Sequence, residues 1–310
     1  MEKRPIGSSG LSAAPLALGG NVFGWTADEA TSFAILDAFV EAGGTMIDTA
    51  DVYSAWVPGH VGGESETLIG RWLKRRGKRD HVVIATKVGM ANGLAPDEVA
   101  SACDASLKRL GIDAIDLYYQ HQDDPKVPLA DSLGAFHRLV ESGKVRAVGL
   151  SNFNADRVEE AVATACLHRL TPPSALQPWY NMVERERFEG ELDEVARRHG
   201  LAVFPYYSLA NGFLTGKYRS REDLDKSPRG LRNIQYLEGK GAAVLAALDE
   251  VAGEVGAAPA TVALTWTIAQ PGITAPIASA TSLGQLSELT AAMTLALTPE
   301  QMARLDAASA

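Results

Sequence analysis

The sequence is short of positive charge, nearly free of cysteine and without a long apolar run. Each shortage removes a class of function. Lys and Arg number 29 against 38 Asp and Glu, giving a net charge of −9 and a pI near 5.2. Nucleic acids and anionic membranes are held by basic surfaces, so neither is expected as a partner. No stretch approaches the roughly 18 uninterrupted apolar residues that a membrane span requires. The opening Met1-Glu2-Lys3-Arg4-Pro5 leads into no apolar segment, so no secretory leader is expected and the setting reads as cytoplasmic. Cys103 and Cys166 lie far apart inside helical patterns. They read as buried free thiols, and no metal site is expected. No Gly-x-Gly-x-x-Gly follows a strand-like run, which removes the main signature of a doubly wound dinucleotide fold.

What is present is an apolar, alternating α/β chain. Of 310 residues 46% are hydrophobic and 22% charged, enough for a large core and too little charge for disorder. That length is compatible with one barrel domain over 1–310. Pro5 to Gly20 reads as a hairpin followed by a first strand at 15–18. Helices are predicted at 26–42, 63–76, 96–110, 128–142, 155–168 and 188–199. Strands are predicted at 82–87, 115–120, 145–150, 175–178 and 201–206. Helices near 241–254 and 259–269, a strand at 273–277, and helices at 283–294 and from 299 complete the chain. Strands apolar on both faces, alternating with amphipathic helices, predict a (β/α)8 TIM barrel with an N-terminal β-hairpin. The segment 211–240 is too long for an ordinary connection, a length usual for functional loops.

Four polar residues sit at or just beyond the ends of strand-like runs: Asp48, Tyr53, Lys87 and His121. Parallel barrels build their active sites at the C-terminal ends of the strands. A carboxylate, a phenol, an ammonium and an imidazole gathered there could protonate a carbonyl oxygen. His60, His81, His137, His168 and His199 lack any such setting and read as surface or helix-face residues.

The segments around these residues resemble the aldo-keto reductase superfamily, in particular bacterial members built as a single barrel. The matching runs are Ile-Asp-Thr-Ala-Asp-Val-Tyr (47–53), Glu-Ser-Glu-Thr-Leu-Ile-Gly (64–70), Ala-Thr-Lys-Val-Gly (85–89), Asp-Leu-Tyr-Tyr-Gln-His (116–121), Val-Arg-Ala-Val-Gly-Leu-Ser-Asn-Phe (145–153), Leu-Gln-Pro-Trp-Tyr-Asn (176–181) and Pro-Tyr-Tyr-Ser-Leu-Ala-Asn-Gly-Phe-Leu-Thr-Gly-Lys-Tyr (205–218). Together they span nearly the whole chain in order. The resemblance implies NAD(P)H-dependent, reversible reduction of an aldehyde or ketone. Tyr53 would then be the general acid, Lys87 would loosen its proton, Asp48 would pair with Lys87, and His121 would orient the carbonyl. An alcohol or sugar dehydrogenase with the same site is the alternative. A non-catalytic nucleotide-binding subunit is a further one, against which the complete tetrad argues.

The resemblance also assigns a cofactor path. Gly20, Asn21 and Asp48 line its start. Ser151, Asn152 and Gln177 would hold the nicotinamide amide, and Tyr206 would stack on the ring. Here Tyr-Tyr-Ser (206–208) departs from the more usual Tyr-Ser-Pro. Ser208, Leu209, Gly212, Gly216 and Lys217 would border the pyrophosphate. Ser279, Thr281, Gln285 and Glu288 would face the adenosine end, where many relatives carry a Lys or Arg that this chain lacks. NADP(H) is favoured and NAD(H) is the alternative, with Lys217, Arg219 or Arg229 able to reach a 2′-phosphate from the long loop. Ser282 and Gln285 also fit a capping box. Trp25, Trp56 and Trp179 are loop aromatics that would wall the pocket of a small-molecule carbonyl or alcohol substrate. Nothing in the sequence names that substrate or an oligomeric state.

Overall fold

A computed structural model describes residues 2–79 and 81–310. Two short strands, β1 (Arg4–Pro5) and β2 (Ser12–Ala13), pair antiparallel. Eight further strands follow: β3 (Ala17–Gly19), β4 (Met46–Asp48), β5 (Val83–Val88), β6 (Ile115–Gln120), β7 (Val145–Ser151), β8 (Ala175–Gln177), β9 (Ala202–Val203) and β10 (Ile277–Ala278). They form one parallel sheet in the order β10-β3-β4-β5-β6-β7-β8-β9. The seam between β9 and β10 is closed by backbone bonds: Thr274 N–H donates to the Val203 carbonyl (2.9 Å) and Ile277 N–H to the Pro205 carbonyl (2.8 Å). The fold is the (β/α)8 barrel with an N-terminal hairpin.

Inward-pointing Ala17, Met46, Val83, Ala85, Leu117, Tyr119, Ala147, Ala175, Ala202 and Phe204 fill the barrel with Ile6 of the hairpin beneath them. Small residues set against Tyr119 and Phe204 let the layers interdigitate. Between sheet and helices lie two larger apolar shells. One is built around Phe39, Trp72, Tyr118 and Phe136, the other around Tyr180, Phe213, Tyr236 and Trp266.

The differences from the expected boundaries have local causes. The helix expected from residue 26 begins at Glu29, because the Asp28 side chain accepts the Thr31 N–H and caps it. The helix expected over 188–199 is confined to Glu191–Arg198, and a separate single turn at Arg185–Arg187 precedes it. The strand expected at 201–206 keeps a regular ladder only over β9, since Pro205 has no N–H to donate. Pro276 likewise delays β10 to Ile277. The helix expected over 283–294 stops at Ala291. Of the two thiols expected to be buried, Cys103 is buried but Cys166 is exposed on the outer face of the helix Ala155–His168. The long segment after β9 folds as three short turns, Ala210–Thr215, Arg221–Lys226 and Gly230–Asn233, then a one-turn helix Ile234–Leu237. That segment arches over the C-terminal end of the barrel, where its side chains meet residues of the loops after β3 and β9.

Candidate active site

Strand alternation places the tetrad. On β5, Thr86 points outward to the helices and Lys87 inward, because successive side chains take opposite faces. Thr86 donates to Glu66 (2.6 Å), whose other oxygen accepts from Arg109 (2.6 Å), a buried polar clamp behind the strand. Lys87, itself buried, donates from Nζ to Asp48 Oδ2 (2.6 Å), to the Thr49 carbonyl (2.8 Å) and to the Tyr53 hydroxyl (3.0 Å). All three ammonium hydrogens are thus used. Asp48 ends β4, and Tyr53 returns to it from the following turn with its hydroxyl 3.5 Å from Asp48 Oδ2. His121 follows β6 directly, its ring centroid 6.0 Å from that of Tyr53. Its Nδ1 is buried and has no partner among the described residues. The four residues therefore converge at the C-terminal mouth of the barrel.

The electrostatics depart from the expectation that Lys87 acidifies Tyr53. Burial raises the phenol well above its usual range, and the Asp48 carboxylate raises it further. Asp48 touches both the ammonium and the phenol, so the ion pair offers Tyr53 little net positive potential. The phenol keeps its proton at neutral pH. Burial also lowers Lys87, with Asp48 opposing that shift. His121 is held well below 6.5 by burial first and by Lys87 second, so its ring is neutral.

Around this unit the polar side chains at the ends of β7 and β8 form a connected network. Gln177 donates to Asp48 Oδ1 (2.9 Å), and Ser151 donates to the Gln177 carbonyl (3.0 Å). Asn152, at φ 57°, donates to the His121 carbonyl (2.8 Å) and accepts the Tyr206 hydroxyl on Oδ1 (2.5 Å). These four residues meet in one cluster beside the tetrad. Gly20 adjoins Asp48, its N–H on the Asp48 carbonyl (2.7 Å), where an added Cβ would fall 2.9 Å from Ser65 Oγ.

The remaining residues singled out in the sequence fall in three places. Ser208 is buried, its hydroxyl on the Pro205 carbonyl (3.0 Å), and Leu209 packs between the two apolar shells. Gly212 (φ 90°) and Gly216 (φ 78°) turn the backbone as only glycine does freely, with Lys217 Nζ close to the bare face of Gly212. At the far end Ser279 donates to Asn21 Oδ1 (2.6 Å). Ser282 accepts the Gln285 N–H (3.2 Å), and Gln285 reaches back to accept from the Thr281 N–H (2.9 Å), so this pair caps the helix Leu283–Ala291. The Glu288 side chain is exposed on that helix. Arg219 is committed to Asp249 by two 2.7 Å bonds, and Arg229 lies over the Trp25 ring, 5.8 Å from its centroid. His137 and His199 bond to Thr171 (2.9 Å) and Glu159 (3.0 Å), remote from the tetrad.

Trp25 and Trp56 pack edge to face at 5.5 Å, with Trp56 also 6.1 Å from Tyr53. Across the mouth Trp179 meets Tyr207 at 4.5 Å and Tyr206 at 5.9 Å. Tyr207 and Arg232 belong to this rim, although the sequence alone does not single them out. The doubled tyrosine at 206–207 is the available signal for the first. The Arg232 contact, Nη1 to the Tyr207 hydroxyl at 3.2 Å, joins two loops and leaves no local trace. Asp51 also escapes a reading of the sequence. It is a partly buried carboxylate pushed up to about 6 by burial and by Glu66, with one oxygen unpartnered among the described residues.

The model of the aldo/keto reductase family matches residues 15–310. The chain belongs to that family. As an aldo/keto reductase it is an oxidoreductase of carbonyl compounds in the broad sense that the family name carries. It is 35% identical over 96% of its length to "Aldo-keto reductase str7" of Strobilurus tenacellus, covering 86% of that protein. It is 32% identical over 86% of its length to "Aldo-keto reductase yakc [NADP(+)]" of Schizosaccharomyces pombe, covering 78% of it. It is also 31% identical over 98% of its length to a "Putative voltage-gated potassium channel subunit beta" of the same yeast, covering 92%. Among the described residues of this aldo/keto reductase, no helix is long and apolar enough to cross a membrane, and no cluster of His, Cys, Asp and Glu could hold a metal ion.

Proposed function

We propose that the protein reduces aldehydes or ketones to alcohols with a nicotinamide dinucleotide, NADP(H) in preference to NAD(H), and that Tyr53 supplies the proton. The observation that carries the reading is the three-way contact of Lys87 Nζ with Asp48 (2.6 Å), Tyr53 (3.0 Å) and the Thr49 carbonyl, beside a neutral His121.

The residues present fit the dinucleotide. His121 Nδ1 and Trp179 Nε1, buried and without a partner among the described residues, border a cluster of amides and hydroxyls. The Gly212 turn brings the Lys217 ammonium close against the backbone. The capped N-terminus of Leu283–Ala291 offers free N–H groups to an anion. Ser151, Asn152 and Gln177 would hold the carboxamide against Tyr206, Lys217 would neutralise the pyrophosphate, and Ser279 and Thr281 would meet the adenosine end. The relative whose name carries NADP(+) supports the phosphate-bearing form. The bound dinucleotide would supply hydride.

The chain's own residues handle the proton. As negative charge grows on the carbonyl oxygen, the protonated Tyr53 phenol donates to it, and Lys87 stabilises the phenolate left behind. Asp48 holds the ammonium in place. Neutral His121 can donate a hydrogen bond to the same oxygen without competing as a proton source. In reverse the same group takes the proton from an alcohol, so reductase and dehydrogenase differ only in direction.

The test is nicotinamide absorbance with a panel of aromatic aldehydes. Tyr53→Phe should lower kcat by at least ~100-fold, the scale of a lost general acid, while nucleotide Kd stays within about twofold. A kcat within a few-fold of wild type would remove Tyr53 from the role. Tight nucleotide binding with no turnover of any carbonyl would favour a non-catalytic nucleotide-binding subunit; one relative is named as a channel subunit.

A further inference from the structure

The long segment after β9 brings two arginines to the barrel mouth that have no counter-ion among the described residues. Arg219 and Arg221 of the same segment pair with Asp249 and Glu238. Among the described residues neither Arg229 nor Arg232 meets a carboxylate. Arg229 is partly buried over the Trp25 ring, and its pKa is lowered by burial first, with the Tyr207 phenol opposing and neighbouring Arg232 adding to the shift. In a chain of net charge −9, two neighbouring guanidiniums left unpaired at one end of the barrel are a localised positive field in an otherwise acidic molecule.

Tyr207 gives that field a direction. Its backbone is held at φ 56°, a conformation that a bulky residue adopts only at a cost. There the ring packs on Trp179 (4.5 Å) and Tyr206 (5.1 Å), and the hydroxyl takes one hydrogen bond from Arg232 (3.2 Å). The phenol is also near enough to Tyr53 for an ionised Tyr207 to disfavour ionisation of Tyr53. Arg232 uses one of its five N–H donors in this contact and has the rest available, in a fork that matches a carboxylate. Each group has aromatic rings beside it: Trp179 and Tyr206 lie against Tyr207, and Trp56 lies against Tyr53.

We propose that Arg232 and Tyr207 form an anion subsite at the pocket mouth, and that the substrate is an aromatic aldehyde or ketone bearing a carboxylate opposite its carbonyl. The carbonyl end would reach Tyr53 and His121 while the ring lies between the tryptophans and the carboxylate takes the free donors of Arg232 and the Tyr207 hydroxyl. The proposal rests on the reductase reading for its carbonyl end only. The anion subsite stands on the loop geometry.

The experiment compares 4-carboxybenzaldehyde with methyl 4-formylbenzoate, nearly the same shape with and without the charge. Both are assayed as substrates of wild type, Arg232→Met and Tyr207→Phe. Binding of benzoate and methyl benzoate to the nucleotide-loaded protein is followed in parallel by tryptophan fluorescence. Wild type should favour the acid over the ester by about tenfold or more in kcat/KM, the scale of one charge-assisted hydrogen bond. Arg232→Met should reduce that ratio about tenfold and Tyr207→Phe by a few-fold, and the wild-type preference should shrink with added salt. A wild-type ratio near one, or a preference that survives both substitutions, overturns the proposal. If neither aldehyde is consumed, the reductase reading fails on its own and the binding arm decides. Benzoate bound more tightly than its ester in wild type but not in Arg232→Met supports the subsite, and equal binding in both proteins overturns it.

Discussion

The carboxylate of Asp51 shows how one side chain can report on the site. Its pKa rises from the ordinary 3.8 to about 6, burial being the main cause and Glu66 the second. A raised folded-state pKa contributes stability that is fully present below 3.8 and is lost as pH climbs through about 6. The full displacement corresponds to roughly 3 kcal/mol, of which about 2 kcal/mol falls between pH ~4.5 and pH ~8. Asp51→Asn removes the titration, so wild type should lose about 2 kcal/mol relative to the variant across that interval. Denaturant unfolding of both proteins at the two pH values measures this directly. A difference that does not change with pH would mean Asp51 is better solvated than its surroundings imply. His121 makes the opposite case. Burial and Lys87 keep it neutral well below 6.5, so its ring resonances in NMR should remain those of neutral imidazole as pH falls through that ordinary value. A midpoint at the ordinary value would show that water reaches the ring. The same residues mark how far the sequence informs at this scale. The tetrad is legible because each member sits at or near a strand end, a local and directional signal. The sign of the Tyr53 shift is not, because it depends on Asp48 touching both Tyr53 and Lys87 in space.

At the scale of elements, legibility follows the distance over which each cause acts. The C-terminal ends of helices that stop at a glycine, such as Pro96–Leu110 with Gly111 at φ 63°, are placed within a residue because the cap is local. The strands interrupted by Pro205 and Pro276 come in the right order but too long, since apolar patterning does not show where a ladder loses its donor. The arch over the mouth is recognisable only by its length. Its turns are fixed by tertiary contacts such as Tyr218 with Ser227 and Tyr236 with Glu184. The helix Leu283–Ala291 carries the element-scale prediction. Its first turn has no basic residue, and Ser282 is its side-chain cap. If that N-terminus meets the 2′-phosphate of NADPH, its N–H groups and dipole do the work usually given to a cation. Ser282→Ala should then cost about 1 kcal/mol of stability. It should also weaken NADPH several-fold while leaving NADH nearly unchanged, as nucleotide titrations by fluorescence would measure. Equal weakening of both nucleotides would place the 2′-phosphate elsewhere.

For the molecule as a whole, the barrel depends on joining β9 to β10, its last two strands, across a seam made of short, proline-interrupted segments. Arg4 reinforces that seam from below. From β1 its Nη1 donates to the carbonyls of Ile268 (3.0 Å), Ile273 (3.0 Å) and Thr274 (3.2 Å). These acceptors lie in the last turn of the helix Pro259–Ala269 and in the loop between that helix and β10. The contact spans more than 260 residues of sequence, so it ties the first strand of the hairpin to the segment that leads into the last strand of the barrel. Removing a guanidinium that reaches three carbonyls leaves them short of donors, a loss of about 2 kcal/mol. Arg4→Met keeps the apolar stem and removes the donors. It should therefore lower Tm by several degrees, with nucleotide Kd and the kcat of carbonyl reduction within about twofold of wild type, because the site lies at the opposite end of the barrel. Thermal unfolding and the nicotinamide assay on the same samples separate these effects. An unchanged Tm would show that backbone bonds such as Thr274 to Val203 (2.9 Å) and Ile277 to Pro205 (2.8 Å) close the barrel unaided. A fall in kcat without a fall in Tm would instead show that the seam is coupled to the mouth, through β9 and the arch that follows it.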